Sequence, residues 1–232
     1  MGLPVSVLVR GHDVDDPATG AAVAALYAEL RAADAKFSTY REDSELSRWA
    51  RGEVAQPSAD LQEVRALCEL ASARTGGAFN AYTPNGSWDP SGLVKGWSVE
   101  RAARHLAALA GPDWCVNAGG DVLLHCSPGG SFRIGIEDPR DRTRVAAVVQ
   151  RSSGAIATSG TAARGRHLYN PRTGEFPNVL GSVTVVGLSL CHADVLATAA
   201  YVDGGLALIE KADGYEGLVI ARSGELLSTP GW

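Results

Sequence analysis

A carboxylate, a flexible turn and an ammonium group occur together in residues 89–96, which read Asp-Pro-Ser-Gly-Leu-Val-Lys-Gly. Beyond this stretch, apolar residues recur at intervals of three and four, which predicts a helix. The backbone N–H groups of a first helical turn attract anions, so the sequence predicts a phosphate-handling loop ahead of a helix start. The same composition is also typical of an ordinary turn followed by a solvated lysine.

Asp194 and Thr198 form a second candidate site, because they are four residues apart in a segment that we predict to be helical from about His192. Side chains at positions i and i+4 share one face of a helix, so their oxygens can approach one point. A carboxylate and a hydroxyl are hard oxygen ligands, which suit Mg²⁺ or Ca²⁺. The alternative is local: an aspartate favoured by the helix dipole and a threonine bonded to its own backbone.

A long polar loop is predicted between the strands at 155–158 and 182–186. It carries His167 together with three arginines, Arg164, Arg166 and Arg172. Long loops with such content often carry function, although an exposed turn is the commoner explanation for any one of these residues.

Composition limits the classes of protein that this chain can belong to. Its 232 residues are enough for one large domain or two closely joined lobes. A net charge of −5 argues against a nucleic-acid partner, which needs a basic face, and makes a metal ion the expected mediator for any anionic ligand. The four cysteines lack the spacing of a zinc or redox motif, and we expect no disulfide.

No transmembrane segment is expected, because no apolar run reaches membrane length. The first residues also lack the basic-then-apolar pattern of a signal peptide. The sequence as it stands therefore predicts a cytoplasmic location, and an extracytoplasmic, membrane-associated one if a signal segment has been removed.

The pattern of elements predicts an α+β fold, with helices packed on a mainly antiparallel sheet, because helices fill the first half and strands most of the second. A short helix capped by Asp43 is expected in the polar stretch after the first helix. Helices are predicted at 17–37, 58–73, after residue 96, from about His192 and after Gly205. Strands are predicted at 4–10, 114–116, 121–126, 132–137, 145–150, 155–158, 182–186, 216–221 and 225–229.

Seven stretches of the chain resemble motifs of the ApbE family of FAD:protein FMN transferases. They follow one another in the family's order and extend over nearly the full length of the chain. They include the 89–96 loop and the Asp194/Thr198 pair. The stretches are FSTY with DSELS (37–40 and 43–47), GAFN (77–80), DPSGLVKGW (89–97), NAGGD (117–121), TSG (158–160), HLYNPRTG (167–174) and ADVLAT (193–198).

The resemblance implies a T-fold-like α+β structure, in which a single flavin transferase domain, residues 1–232, has two closely joined lobes with the ligand cleft between them. It implies that Asp194 and Thr198 bind Mg²⁺ through side-chain oxygens and that Gly92 offers its backbone carbonyl. Ca²⁺ or Mn²⁺ would be alternatives to Mg²⁺.

The resemblance also implies which residues contact FAD as the substrate. Asp89, Lys95 and His167 would do so, and His167 is in addition the candidate catalytic base near the reacting phosphate. The remaining contacts would come from Ala78, Phe79, Asn80 and Tyr40. The two aromatic rings could stack on the flavin or adenine, or could simply belong to the core.

The activity implied by the resemblance is transfer of FMN from FAD to a Thr or Ser hydroxyl of an acceptor flavoprotein, with release of AMP. The acceptor would carry an Asp-x-x-Ser/Thr-Gly-Ala-Thr-like motif, which this chain lacks, so modification would occur in trans. Two alternatives remain open: Mg²⁺-dependent hydrolysis of FAD to FMN and AMP, and non-catalytic FAD binding.

Two positions depart from the family's usual residues and bear on the non-catalytic alternative. Asn80 and Asn170 stand where the family usually has aspartate. Each asparagine removes a negative charge but keeps a hydrogen-bonding oxygen. If either aspartate takes part in proton transfer, the rate in this chain would be reduced.

Overall fold

A computed structural model describes residues 2–11, 14–109, 111–160, 169–177 and 180–232. The helices of this part of the chain are α1 (Pro17–Phe37), α2 (Glu45–Ala50), α3 (Ala59–Arg74), α4 (Ser91–Ala107), α5 (Leu190–Asp203) and α6 (Ala207–Glu210). The strands are β1 (Val5–Arg10), β2 (Asp113–Ala118), β3 (Asp121–His125), β4 (Phe132–Asp138), β5 (Asp141–Arg151), β6 (Ser153–Gly160), β7 (Leu180–Gly187), β8 (Glu216–Ala221) and β9 (Leu226–Ser228).

Seven of these strands form one sheet in the order β1-β2-β3-β6-β7-β8-β9. All neighbouring pairs in this sheet are antiparallel. Strands β4 and β5 form a separate antiparallel hairpin. The predicted α+β fold with a mainly antiparallel sheet is therefore confirmed.

The large sheet lies between a layer of helices and the β4–β5 hairpin, because successive side chains of a strand point to opposite faces. On β2, Trp114 and Val116 pack with residues of α1, α4 and α5, whereas Cys115 faces the hairpin. On β6, Ala155 and Ala157 face the helices in the same way. The alternation leaves one face for the helices and the other for the hairpin.

Helix α4 is held from two sides, because it contributes to two apolar clusters. Val99 and Leu106 belong to the cluster between the helices and the sheet. Leu93 and Trp97 belong to a second cluster with residues of α1, α2, α3 and α5. The first turns of α4, which contain the predicted phosphate loop, are consequently fixed in position.

Several element boundaries differ from the sequence-based expectation. The short helix α2 is capped by Ser44, whose Oγ accepts from the Ser47 N–H at 3.0 Å, so the prediction that Asp43 caps it is wrong. Asp43 is instead paired with Arg41 at 2.9 Å, because a bidentate partner lies two residues away. Helix α4 begins at Ser91, inside the stretch predicted as a loop.

The helix expected from about His192 begins earlier, at Leu190, and Ser189 is its N-cap. The strand expected at 155–158 continues to Gly160. None of the helices that the described residues form is both long enough and apolar enough to cross a membrane.

Candidate active site

The Lys95 ammonium lies between two buried carboxylates. Its Nζ is 3.3 Å from Oδ1 of Asp194 and contacts Oδ2 of Asp121. The exposed fraction is 17% for the Lys95 side chain, 2% for Asp121 and 5% for Asp194. Burial by itself lowers the pKa of Lys95, but the two carboxylates outweigh it, so the pKa is raised. Lys95 therefore stays cationic, and two carboxylates with one ammonium carry a net charge of −1.

Close packing of α4 against α5 brings Lys95 to Asp194. A Cβ on Gly96 would lie 2.7 Å from the Cys191 Cα, so the two helix backbones touch here. On one side of this contact the Leu190 N–H donates to the Glu100 carboxylate, and on the other side Lys95 meets Asp194. The two helices therefore run in opposite directions, and the start of α4 lies beside the part of α5 that carries Asp194.

The end of strand β6 links Asp121 to Thr198. The Thr158 N–H donates to Oδ1 of Asp121 at 3.0 Å, and the Ser159 Oγ and Thr198 Oγ1 share a hydrogen bond of 3.0 Å. Ser159 follows Ala155 and Ala157 in the row of β6 that faces the helices, which places a polar group at the end of an apolar row.

Sequence reasoning assigned no role to Asp121 or Ser159. A signal was present, because both belong to stretches that resemble the family, at 117–121 and 158–160. The sequence did not show that β3 pairs with β6. This pairing puts Asp121, the first residue of β3, near the last residues of β6.

The oxygen donors at this site suit a hard divalent cation. The side chains of Asp194 and Thr198 lie one helical turn apart, and Gly92 is three residues before Lys95 in the first turn of α4, about 4.5 Å along the helix axis. Carboxylate, hydroxyl and backbone carbonyl oxygens are the donors that Mg²⁺ and Ca²⁺ accept. Among the described residues, no group of three or more His, Cys, Asp or Glu side chains is placed to hold a metal ion.

Asp89 fixes the turn that leads into α4. Its Oδ1 accepts from the Ser91 N–H at 2.9 Å, and its own N–H donates to the Ala81 carbonyl at 2.7 Å. Helix α4 has no side-chain hydrogen bond from its N-cap residue, Pro90, so Asp89 supplies the first acceptor oxygen. The structure thus brings the 78–82 segment against the 89–92 turn.

Ala78 and Phe79 are part of the core, with exposed fractions of 1% and 4%. A Cβ on Gly92 would lie 3.2 Å from the Phe79 Cε2, so the phenyl ring supports the Gly92 turn from beneath. The buried phenyl ring is therefore covered by protein atoms. A ligand would meet this segment through its backbone and through the exposed Asn80.

Each of the two asparagines at which the resemblance leads us to expect aspartate caps a backbone turn. The Asn80 Oδ1 accepts from the Tyr82 N–H at 2.9 Å, and the Asn170 Oδ1 accepts from the Arg172 N–H at 2.9 Å. An aspartate oxygen would accept the same bonds. The local backbone therefore does not require the negative charge at either position.

Tyr40 follows Thr39, which lines a surface cavity. Tyr40 is 97% exposed. A cavity of about 540 Å³ opens between α2 and the 83–89 turn and is lined by Leu46, Trp88 and Asp89 among others. Lys95 and Asp194 do not line this cavity, whereas Asp89, which precedes the first turn of α4, does.

His167 lies outside the described residues, and its predicted role stays a prediction. The segment from Tyr169 onward is described: the Tyr169 hydroxyl donates to the Tyr82 carbonyl at 3.0 Å. Burial, and to a lesser extent the charge of Asp89, raises the pKa of Tyr169. The Arg172 guanidinium pairs with Asp203 at 2.7 Å at the end of α5. This segment is therefore held beside the Asp89 turn and α5.

Comparison with known proteins gives a match to one family. The sequence profile of the ApbE family matches residues 1–84 and 83–219. A curated relative, the FAD:protein FMN transferase of Vibrio cholerae serotype O1, is 31% identical over 177 residues, which are 69% of this chain and 53% of that protein. The chain thus spans about half the length of the curated relative that it matches.

Solved structures share the fold. The ApbE protein of Thermotoga maritima has a TM-score of 0.84 at 21% identity, over 99% of this chain and 94% of that chain. The flavin transferase ApbE of Vibrio cholerae has a TM-score of 0.75 at 22% identity, over 98% and 97%. The flavinyl transferase ApbE of Pseudomonas stutzeri has a TM-score of 0.76 at 22% identity, over 98% and 95%.

Proposed function

The chain belongs to the ApbE family, and we propose that it transfers FMN from FAD to a threonine or serine hydroxyl of an acceptor flavoprotein, with release of AMP. One observation carries the proposal: a lysine is held between two buried carboxylates, Asp121 and Asp194, in a site that also presents Thr198 and the Gly92 turn. This arrangement supplies an ammonium for the phosphates of a dinucleotide and hard oxygen donors for the divalent cation that would accompany them.

The proposed reaction exchanges one bond to phosphorus for another. The hydroxyl oxygen attacks the phosphorus of the FMN half, the bond from that phosphorus to the bridging oxygen breaks, and AMP leaves with the bridging oxygen. The hydroxyl proton passes to a base. Pyrophosphate resists attack because it is negatively charged, and the Lys95 ammonium would stabilise charge on its oxygens in the transition state.

Two further groups would complete this chemistry. A divalent cation held by Asp194, Thr198 and the Gly92 carbonyl would neutralise the same phosphate oxygens when bound. Mg²⁺ is the expected ion, with Ca²⁺ or Mn²⁺ as alternatives. His167 is the proposed base, since an imidazole of ordinary pKa near 6.5 can take the hydroxyl proton near neutral pH.

FAD would be held by the segments around the Asp89 turn. Asp89 and the exposed Asn80 offer acceptor oxygens, and the 78–80 backbone lies beside them. The almost fully exposed ring of Tyr40 is available to stack on the flavin or the adenine. We propose that a single domain, residues 1–232, carries all of these contacts.

The test is incubation of the protein with FAD, Mg²⁺ and an acceptor flavoprotein domain that carries an Asp-x-x-Ser/Thr-Gly-Ala-Thr-like motif. Mass spectrometry of the acceptor and chromatography of the nucleotides then follow the two products. We expect FMN bound to the acceptor and an equal amount of AMP. An acceptor whose final threonine is replaced by valine is the matched control and should gain no FMN.

Two other outcomes would replace the proposal. Free FMN and AMP without modified acceptor would make the protein an FAD pyrophosphatase, with water in place of the hydroxyl. Bound but intact FAD would make it a non-catalytic FAD-binding protein.

A further inference from the structure

We infer that Asp121 is a positioning residue, which holds the Lys95 ammonium at the phosphate site when Asp194 binds a divalent cation. The inference rests on the proposed function, because it concerns how the same site accommodates that cation. Two described carboxylates contact one ammonium, and only Asp194 was expected to bind metal. Asp121 therefore needs a role of its own.

The Asp121 carboxylate is fixed by the sheet. Asp121 is the first residue of β3 and pairs with Ala118 of β2. Its Oδ1 accepts from the Thr158 N–H of β6, while Oδ2 contacts the Lys95 Nζ. The groups that hold the Asp121 carboxylate, the backbone of β2 and the Thr158 N–H, do not include Asp194, so these bonds remain when Asp194 binds a cation.

A divalent cation and the Lys95 ammonium compete for Asp194. The ammonium lies 3.3 Å from the Asp194 Oδ1, so a cation on this carboxylate would face a like charge at close range. Without Asp121, Asp194 would be the ammonium's only anionic partner among the described residues, and the ammonium would hold it. With Asp121 present, the ammonium can release Asp194 and still remain paired.

The charges of the site favour this exchange. The two carboxylates and one ammonium carry a net charge of −1, which attracts a cation. With a divalent cation bound, the same groups carry +1, which attracts the anionic pyrophosphate. If Lys95 left the site when the cation arrived, this positive charge would be lost. Asp121 thus keeps Lys95 where both the cation and the dinucleotide need it.

A purely structural role for Asp121 makes a different prediction. If Asp121 only accepts from the Thr158 N–H, an asparagine serves equally well, because its Oδ1 accepts the same bond. The substitution Asp121→Asn therefore removes the charge that faces Lys95 while it keeps the bond to β6. A loss of cation binding in this variant would therefore be due to the missing negative charge of Asp121.

The experiment is a double-mutant cycle with Mn²⁺ as the probe and no FAD present. Electron paramagnetic resonance of free Mn²⁺ gives the dissociation constant for wild type, D121N, K95Q and D121N/K95Q. We expect D121N to weaken Mn²⁺ binding roughly 10- to 100-fold in the wild-type background, as is common for residues that support metal ligands. In the K95Q background, D121N should weaken Mn²⁺ binding at most about twofold, because no ammonium is left to compete for Asp194.

Two results of the cycle would overturn the inference. An equal loss in both backgrounds would mean that Asp121 acts directly on the cation by its charge. Unchanged Mn²⁺ affinity of D121N in the wild-type background would mean that Lys95 does not compete for Asp194.

The variant D194N separates this inference from the proposed function. If D194N binds Mn²⁺ as tightly as wild type, the proposed metal site fails and the inference falls with it. If D194N loses binding but D121N does not, the inference alone fails. Should D121N not fold by circular dichroism, a crystal structure of the Mn²⁺-loaded wild type decides: Lys95 hydrogen-bonded to Asp121 supports the inference, and Lys95 detached from Asp121 overturns it.

Discussion

Gly96 of α4 lies so close to Cys191 of α5 that a Cβ at residue 96 would be 2.7 Å from the Cys191 Cα. The neighbouring residue, Lys95, reaches Asp194 one turn further along α5. The spacing between the two helix backbones therefore sets the distance between the groups that would handle phosphate and metal. A residue with no side chain controls the geometry of the site.

Replacing Gly96 with alanine should push α4 and α5 apart, because the obstacle is backbone and cannot rotate away. We expect the free energy of unfolding to fall by about 1–3 kcal/mol, as for other overpacked cores. FMN transfer should slow as well, since Lys95 and Asp194 separate. Urea denaturation and the rate of acceptor labelling measure the two effects.

Gly20→Ala is the matched control for that substitution. Gly20 is exposed within α1 and has no neighbouring atom within 4 Å of an added Cβ, so alanine should raise helix stability by up to about 1 kcal/mol. If G96A equals wild type in both stability and rate, the close helix contact has no role in the site.

Asp194→Asn should remove Mg²⁺-dependent transfer while the protein stays folded. An amide is a poor ligand for a hard divalent cation, and loss of several kcal/mol of charge stabilisation corresponds to roughly a hundredfold or more in rate. The measurement is the initial rate of acceptor labelling as a function of Mg²⁺ concentration. Asp213→Asn, at an exposed carboxylate between α6 and β8, is the control and should leave the rate unchanged. Unaltered activity of D194N would remove Asp194 from the metal site.

Asn80→Asp and Asn170→Asp test whether asparagine, at two positions where the resemblance leads us to expect aspartate, weakens catalysis. Both amide oxygens accept a backbone N–H, at 2.9 Å in each case, and aspartate preserves that bond. We therefore expect unfolding free energies within about 0.5 kcal/mol of wild type and no large gain in rate. A gain of about a hundredfold or more in either variant would show that proton transfer by the aspartate had been lost in this chain.

Asp138 should make stability depend on acidic pH. Side-chain hydrogen bonds from Arg140, with the Arg140 N–H as a second donor, lower the pKa of Asp138 to about 2 in the folded protein. Because the folded-state pKa lies below the ordinary value near 3.9, the ionised Asp138 carboxylate stabilises the folded protein fully at pH values above about 3.9. This stabilisation is lost as the pH falls through the folded-state pKa.

Urea denaturation of wild type and D138N between pH 6 and pH 2 checks this expectation. The difference in unfolding free energy should be largest at pH 5–6 and should shrink toward pH 2. Glu137→Gln, in an exposed ion pair with Arg142 of the same hairpin, should show a much smaller difference at every pH. A difference between wild type and D138N that grows on acidification would contradict the assignment.

The sequence identified the elements where local signals are strong. Periodic apolar residues located α1 and α3, and the helix predicted at 58–73 lies within one residue of α3 at both ends. The sequence-based prediction chose the wrong cap residue for α2, because Asp43 and Ser44 are both residue types that cap helices well. In the structure Asp43 is paired with Arg41, and Ser44 caps the helix. The sequence-based prediction also placed the start of α4 too late, because Asp89, and not the side chain of the N-cap residue, supports the first turn of this helix.

By itself, the sequence determined that Asp194 and Thr198 share one face of a helix and that Lys95 follows a turn, because these relations depend on residues within one turn of each other. Only the tertiary structure decided that Lys95 faces Asp194 and Asp121, and that Ser159 meets Thr198. Such contacts depend on which helix packs on which and on how strands pair, and these are settled by the packing of the whole chain. Local periodicity shows which way a side chain points within its own element, but it carries no information about what lies opposite.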